Sequence, residues 1–278
     1  MKHSLFKIDY GPAFQSARLE RRTLAIPRSL DALDGRSILF LTDLHLSHMF
    51  PESAARRLFD QILPLRPDIL CFGGDLAETD AEQERAALLL SKVRPPIGAF
   101  AVFGNNDCEL LQSKGCDFSK RLKDAGVVPL IDSETCVDLP GGARLRVAGF
   151  NSLSEHTAPA SPFFADSGER DFRLLLAHYP KSIRTYDSFC AAMPHLGLAG
   201  HTHGGQFRLF GLTPYSIGFE AKKTSRLMPV SGWTDRLGFP VLVSPGIGTS
   251  RLPFRLNVPP AIHLITLSCG AREKADKQ

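Results

Sequence analysis

The chain has no apolar run long enough to cross a bilayer; its longest reach only about half the length a spanning helix needs. Lys2 and Lys7 are followed by neither an uninterrupted apolar segment nor a small-residue cleavage site, so no signal peptide is expected. The six cysteines (Cys71, Cys108, Cys116, Cys136, Cys190 and Cys269) form no Cys-x-x-Cys pair. They fit buried or free thiols in a reducing compartment better than a disulfide framework. No internal repeat and no low-complexity segment is present, and only "AREKADKQ" (271–278) reads as a frayed tail. Charge is nearly balanced, 33 Lys and Arg against 29 Asp and Glu, for a net +4. That disfavours long nucleic acid as a partner, which would ask for a stronger basic stripe. These absences together point to a cytoplasmic protein, for which any contact with a membrane surface would be peripheral.

What is present is an ordinary globular composition, 43% apolar and 22% charged over 278 residues, enough to bury a full core. Arg18, Arg21, Arg22 and Arg28 concentrate charge near the N-terminus and read as a solvated edge, with a surface facing anionic lipid as the alternative. From residue 37 on, short apolar runs alternate with helical patterns. "SILFLTDLH" (37–45), "DILCFGGD" (68–75) and "GAFAVFGNND" (98–107) read as buried strands. Between them "SAARRLFDQIL" (53–63) and "EQERAALLLSKV" (82–93) carry helical spacing. This rhythm implies parallel strands with right-handed crossovers.

After the helix "FSKRLKDAG" (118–126) the texture changes to strands at short spacing: "VVPLI", "ETCVDLP" and "ARLRVAGF". Pro140-Gly141-Gly142 supplies a hairpin turn between the last two. "DFRLLLAH" (171–178), a helix around 181–192, "HLGLAGH" (195–201), "FPVLVSPG" (239–246) and "AIHLITLS" (261–268) complete the set. One domain over residues 1–270, with two packed sheets and helices outside them, is the economical reading.

The polar residues at the strand exits carry the chemistry. Asp43 and His45 follow the first strand, Asp75 the second and Asn105 the third; His178 and the His201/His203 pair follow two later ones. Open sheets place ligands beyond the carboxyl ends of their strands. Each residue alone has a dull explanation, such as a cap, a turn or a core histidine, but seven metal-ligand types at successive exits point to metal. Carboxylate, imidazole and carboxamide donors suit manganese first, with zinc or iron as alternatives, and need no thiolate. Seven ligands are too many for one ion with an open position, and suit two ions sharing a carboxylate.

The ordered series "DLH" (43–45), "GGD" (73–75), "GNND" (104–107), "AH" (177–178) and "GHTH" (200–203) resembles the calcineurin-like metallophosphoesterases over residues 36–268. The resemblance implies a four-layer αββα sandwich. It assigns Asp43, His45 and His203 to one divalent ion, Asn105, His178 and His201 to a second, and makes Asp75 the bridge. It implies hydrolysis of phosphodiester or pyrophosphate bonds, with a metal-bridged hydroxide attacking phosphorus. The glycines of "AGHTHGGQ" (199–206) would bring a loop close to both ions.

The extension "GHTHGGQ", with "SPGIGTSRLPFRLNVPPAIHLITL" (244–267), is similar to a bacterial branch that includes membrane-associated phosphodiesterases and a UDP-2,3-diacylglucosamine pyrophosphatase of lipid A synthesis. A glycolipid or another nucleotide-diphospho-linked small molecule is therefore one expected substrate, and a nucleotide or cyclic nucleotide the alternative. A non-catalytic scaffold is disfavoured because all seven ligand positions are retained. Residues 208–233, with Phe210, Trp233 and Arg226, read either as a lid or as a membrane contact. One departure stands out. Where the family carries a histidine followed by an acid, this chain has Asn106 before Asp107. With Asp75, these two are the expected catalytic residues, and Asn106, His156 and Arg226 the expected substrate contacts. An amide cannot deliver a proton near neutral pH. Either the leaving group needs little protonation, as in a pyrophosphate, or another residue such as His156 supplies the proton.

Overall fold

A computed structural model describes residues 8–10, 17–114, 118–150, 161–213 and 227–270. In chain order the first half comprises β1 (Ile8–Tyr10), β2 (Arg18–Ile26), β3 (Ser37–Leu41), α1 (Glu52–Ile62), β4 (Ile69–Phe72), α2 (Asp80–Leu90), β5 (Gly98–Val102), α3 (Asn105–Lys114), α4 (Phe118–Asp124) and β6 (Val128–Leu130). The second half comprises β7 (Ser133–Asp138), β8 (Arg144–Phe150), β9 (Asp171–Ala177), α5 (Pro180–Arg184), β10 (Leu196–Ala199), β11 (Gly232–Thr234), β12 (Val241–Val243), β13 (Phe254–Leu256) and β14 (Ala261–Cys269).

Two six-stranded sheets result, ordered β2-β14-β3-β4-β5-β6 and β11-β12-β10-β9-β8-β7, with β1 and β13 as a separate pair. Strands β3 to β6 run parallel, as the alternation of strand and helix predicts. So do β8, β9, β10 and β12, and β7 and β8 form the expected antiparallel hairpin over the 3-10 turn at Pro140–Gly142.

The central strands β3, β4, β5, β10 and β12 are apolar almost throughout because both faces of each sheet are covered there. Side chains alternate between faces. Ile38 and Phe40 of β3 and Leu174 and Leu176 of β9 therefore enter the core between the sheets, with Phe100, Phe172 and Leu198. Leu39 and Leu41 turn outward under Ala55, Leu58 and Phe59 of α1 and Leu90 of α2. Leu175 and Ala177 turn outward on the second sheet, against Phe150, Phe163 and Ile183. The arrangement is the four-layer αββα sandwich, with the second outer layer thin.

Three local readings change. The helix around 181–192 is only Pro180–Arg184, followed by a 3-10 turn at Tyr186–Ser188. Thr185, Asp187 and Ser188 are weak helix formers, and the chain instead pairs Phe163 with Phe189 and Ala191 through backbone hydrogen bonds. The run 98–107 stops being a strand at Val102, and Asn105 already opens α3. The arginine-rich segment is β2, an edge strand parallel to β14. Arg18 and Arg21 point to solvent, as edge strands commonly arrange, and Arg22 lies over the Trp233 ring at 4.2 Å. The five cysteines among the described residues are free thiols. No helix among the described residues is long and apolar enough to cross a membrane.

Candidate metal centre

The exits of β3, β4 and β5 from one sheet and of β9 and β10 from the other open on the same edge. Asp43, His45, Asp75, His178 and His203 are buried there, with Asn105 and His201 half-buried. All seven sequence-predicted residues are brought together. Asp43, His45 and His203 present ligand atoms within 4.8 Å of one another, and so do Asp43, Asp75 and His178. His45 Nε2 and His178 Nε2 each lie 3.4 Å from Asp75 Oδ2. Nε2 of His45 and of His203 are 3.1 Å apart. On the other flank, Nε2 of His178 lies 3.2 Å from Asn105 Oδ1 and 3.1 Å from His201 Nδ1.

Getting so many polar groups into so small a volume demands unusual backbone. Five of the seven have left-handed φ: Asp43 at 53°, His45 at 46°, Asp75 at 55°, His201 at 71° and His203 at 50°. Side chains rarely adopt this region, though Asp and His tolerate it better than most. Two glycines explain the approach of the loops. A Cβ on Gly200 would overlap Thr42 and the Asp43 carboxylate, and one on Gly104 would overlap the Asp75 carboxylate and backbone. Gly200 thus lets the histidine loop close on β3, where the His201 N–H donates to both Asp43 oxygens at 3.1 Å.

Contacts behind the ligands set their orientation. The His178 Nδ1–H donates to the Gly73 carbonyl at 2.8 Å, and His45 Nδ1–H to Glu78 Oε1 at 2.5 Å, which turns each Nε2 toward Asp75. Asp107 is fully buried and accepts from the N–H groups of Asp75 (2.7 Å), Gly104 (2.9 Å) and Leu76 (3.1 Å). Its carboxylate ties the two loops together and faces backbone, not the mouth of the site. The Asn106 amide is engaged at both ends, accepting from Asn105 Nδ2 at 2.7 Å and donating to Glu78 Oε1 at 2.8 Å. Arg255, fully buried, donates to the carbonyls of Pro245, Gly248 and His203 and approaches His203 Nδ1 at 3.2 Å.

The electrostatics are those of two carboxylates sunk among imidazoles. Burial works to raise the Asp75 pKa, but the charges of His178 and His45 and a hydrogen bond from the Asn106 N–H hold it well below the usual range. Burial raises Asp43, and it raises Asp107 to about 7 with help from the Asp75 charge. His178 is raised to about 9 against its burial by Asp75 and Asp43, whereas burial and the neighbouring His178 push His201 down to about 3. His203 falls well below its ordinary value through burial, His45 and Arg255. Two buried carboxylates among imidazole and carboxamide donors are costly without a countercharge. The donor set fits divalent transition metal ions.

Sequence reasoning missed Glu78, Arg255 and Tyr179, whose hydroxyl reaches Asn105 Oδ1 at 3.4 Å and whose ring packs on His201. Glu78 follows Asp75 by three residues but carries no motif of its own, and Arg255 reads as a surface arginine. His156, Arg226 with the rest of 214–226 in the segment 208–233, and the tail 271–278 lie outside the described residues.

The chain is 28% identical over 239 residues to the metallophosphoesterase YkuE of Bacillus subtilis, spanning 84% of this chain and 79% of that one. It is 30% identical over 177 residues to the phosphodiesterase YaeI of Escherichia coli, spanning 62% of each. A shorter match, 34% over 93 residues, spans 32% of this chain and 28% of the UDP-2,3-diacylglucosamine pyrophosphatase LpxG of Chlamydia trachomatis. The sequence profile of the calcineurin-like phosphoesterases matches residues 36–205. The chain is a hydrolase of the calcineurin-like phosphoesterase family, whose members typically bind two metal ions.

Proposed function

We propose that the protein hydrolyses phosphodiester or pyrophosphate bonds at a two-metal centre. Asp43, His45 and His203 would hold one ion and Asn105, His178 and His201 the other, with Asp75 shared. The observation that carries this reading is the convergence of His45 and His178, from opposite sheets, on one oxygen of Asp75. When bound, manganese or a similar divalent pair supplies Lewis acidity toward phosphoryl oxygens and lowers the pKa of a water. The chain's own part is to hold the ligands, exclude bulk water and shape the mouth. Asp107 and Asn106 act in this scheme through the ligands they orient. Tyr179, beside Asn105 and His201, would meet a phosphoester bound there.

Two considerations favour diesters and pyrophosphates over monoesters: the phosphodiesterase and pyrophosphatase activities named for two of the relatives, and an amide at position 106 that cannot protonate a leaving group. A lipid-linked substrate is the finer form of the reading. Phe210 supports it: its side chain is 88% exposed at a tight turn between Leu209 and Leu212, themselves exposed, a few residues beyond His203. An exposed apolar tip of this kind suits peripheral contact with a membrane surface.

The test combines metal analysis with a substrate panel. Purified protein should carry close to two transition-metal ions per chain. With manganese it should cleave an aryl diester or a UDP-linked glycolipid with higher kcat/KM than an alkyl monoester. A single tightly held ion with full activity refutes the two-metal reading, and a clear preference for monoesters refutes the substrate class. Preferential turnover of a cyclic nucleotide would move the substrate to the nucleotide alternative.

A further inference from the structure

We propose that Asn106 and Glu78 form a hydrogen-bonded strap that positions ligands of both metal sites together, so that loading one ion depends on the geometry of the other. The inference rests on the two-metal reading above and adds Glu78, which that reading does not use, and the coupling of the two sites through Asn106. The chain of contacts is continuous. The amide nitrogen of Asn105 donates to Asn106 Oδ1 at 2.7 Å, which leaves Asn105 Oδ1 facing His178. The Asn106 amide nitrogen donates to Glu78 Oε1 at 2.8 Å, and the same oxygen accepts the His45 Nδ1–H at 2.5 Å. The Asn106 backbone N–H donates to Asp75 Oδ1 at 2.9 Å, the carboxylate between the two sets.

Each end of the strap solves an orientation problem. A carboxamide can present either oxygen or nitrogen, and only its oxygen is a metal donor; Asn106 Oδ1 accepts the nitrogen and so selects the oxygen-inward rotamer of Asn105. A neutral imidazole has one N–H and one lone pair; Glu78 takes the N–H at Nδ1 and so leaves the His45 Nε2 lone pair facing inward. Asn106 joins them because it alone has an acceptor for one neighbour and a donor for the other. An aspartate there would keep the acceptor for Asn105 and set a second carboxylate against Glu78. Asn106 and Glu78 are positioning residues in this account, and the side chain at 106 is spent on the strap and not held ready for a leaving group.

Calorimetric titration of the full, metal-stripped chain with Mn²⁺ alone tests this. Wild type should show two binding events. Glu78→Ala should weaken one of them about 10–100-fold, the usual cost of losing an outer-shell partner. Asn106→Ala should weaken both by several-fold, and the double variant should lose less than the product of the single losses, because both act on one strap. Two near-isosteric variants separate positioning from general damage. Glu78→Gln keeps an oxygen acceptor and should stay within a few-fold of wild type, whereas Asn106→Asp should fall as far as Asn106→Ala. Wild-type affinity at both sites in Glu78→Ala and Asn106→Ala overturns the strap, as does Glu78→Gln binding as weakly as Glu78→Ala. A wild type that binds fewer than two ions overturns the metal-centre reading itself, and the strap with it.

Discussion

His45 and His178, one following β3 and the other β9, each hold Nε2 at 3.4 Å from the same carboxylate oxygen of Asp75. His178 thereby reaches from the second sheet to Asp75 of the first, beside the His201 N–H on Asp43 and the His178 Nδ1–H on the Gly73 carbonyl. Divalent metal should therefore act as a cross-brace as well as a reagent. Mn²⁺ at 100 times its Kd should stabilise the fold by about 2.7 kcal/mol. It should raise Tm visibly over protein in chelator. Asp75→Ala should abolish both the Tm increase and the hydrolase activity. If the variant still gains stability from Mn²⁺ as wild type does, Asp75 is not the shared ligand.

Leaving-group dependence should be steep. Neither the amide of Asn106 nor the backbone-bound Asp107 presents a proton to the mouth of the site. Across a series of aryl diesters, log kcat/KM should fall as leaving-group pKa rises, in an assay limited by chemistry. A slope near zero would reveal a general acid, with His156 the first to replace.

Gly104→Ala tests how tightly the loops after β4 and β5 must approach. The added methyl would overlap the Asp75 carboxylate and its backbone N–H, with no flexible side chain to give way. Overpacking of this sort costs about 1–3 kcal/mol, and here it displaces the Asp75 carboxylate too. The expected result is lowered Tm together with loss of Mn²⁺ binding; normal binding would show that the loop can retreat.

Acid stability should depend on His195, far from the metal centre. Burial, and then the charge of Arg173, lower its pKa to about 4, and its Nδ1 accepts the Arg173 backbone N–H at 3.0 Å. The folded state thus prefers the neutral ring, while the unfolded chain protonates near pH 6.5. Its stabilising contribution is complete above about pH 6.5 and is lost as pH falls toward 4. Urea midpoints at pH 7.5, 5.5 and 4.5 should fall more in wild type than in His195→Gln. Parallel declines would mean that the ring is already protonated in the fold.

Phe210→Ser should reduce co-sedimentation with anionic phosphatidylglycerol vesicles and raise KM for a lipid-linked substrate, while leaving a small soluble diester unaffected. Equal effects on both substrates would make the turn a structural lid. Trp233 does not belong in that test, since it is half-buried beneath Arg22 and packs against the inter-sheet core.

The parts of this molecule that were legible beforehand share a cause. Asp43, Asp75, Asn105 and His178 each follow an apolar run that can only be a buried strand, so their position at one edge follows from parallel topology. The hairpin at Pro140–Gly142 was legible from its turn residues. Strand β2 was not, because an edge strand exposes half its side chains and its charges mask the alternation. Glu78 and Arg255 escaped for a different reason. Their roles arise from contacts across the fold, with Asn106 28 residues away and with His203 52 residues away, and no local pattern records such a meeting.

The left-handed backbone at Asp43, His45, Asp75, His201 and His203 also bears on how such a site would change over generations. Residues held in sparsely populated regions each cost on the order of 1 kcal/mol or more, and glycine or asparagine would relieve much of it. A lineage released from both hydrolysis and metal binding would gain thermal stability by exchanging these residues for glycine or asparagine. The backbone alone favours glycine or asparagine at all five positions, so Asp and His stand there against its preference, for the chemistry proposed for them.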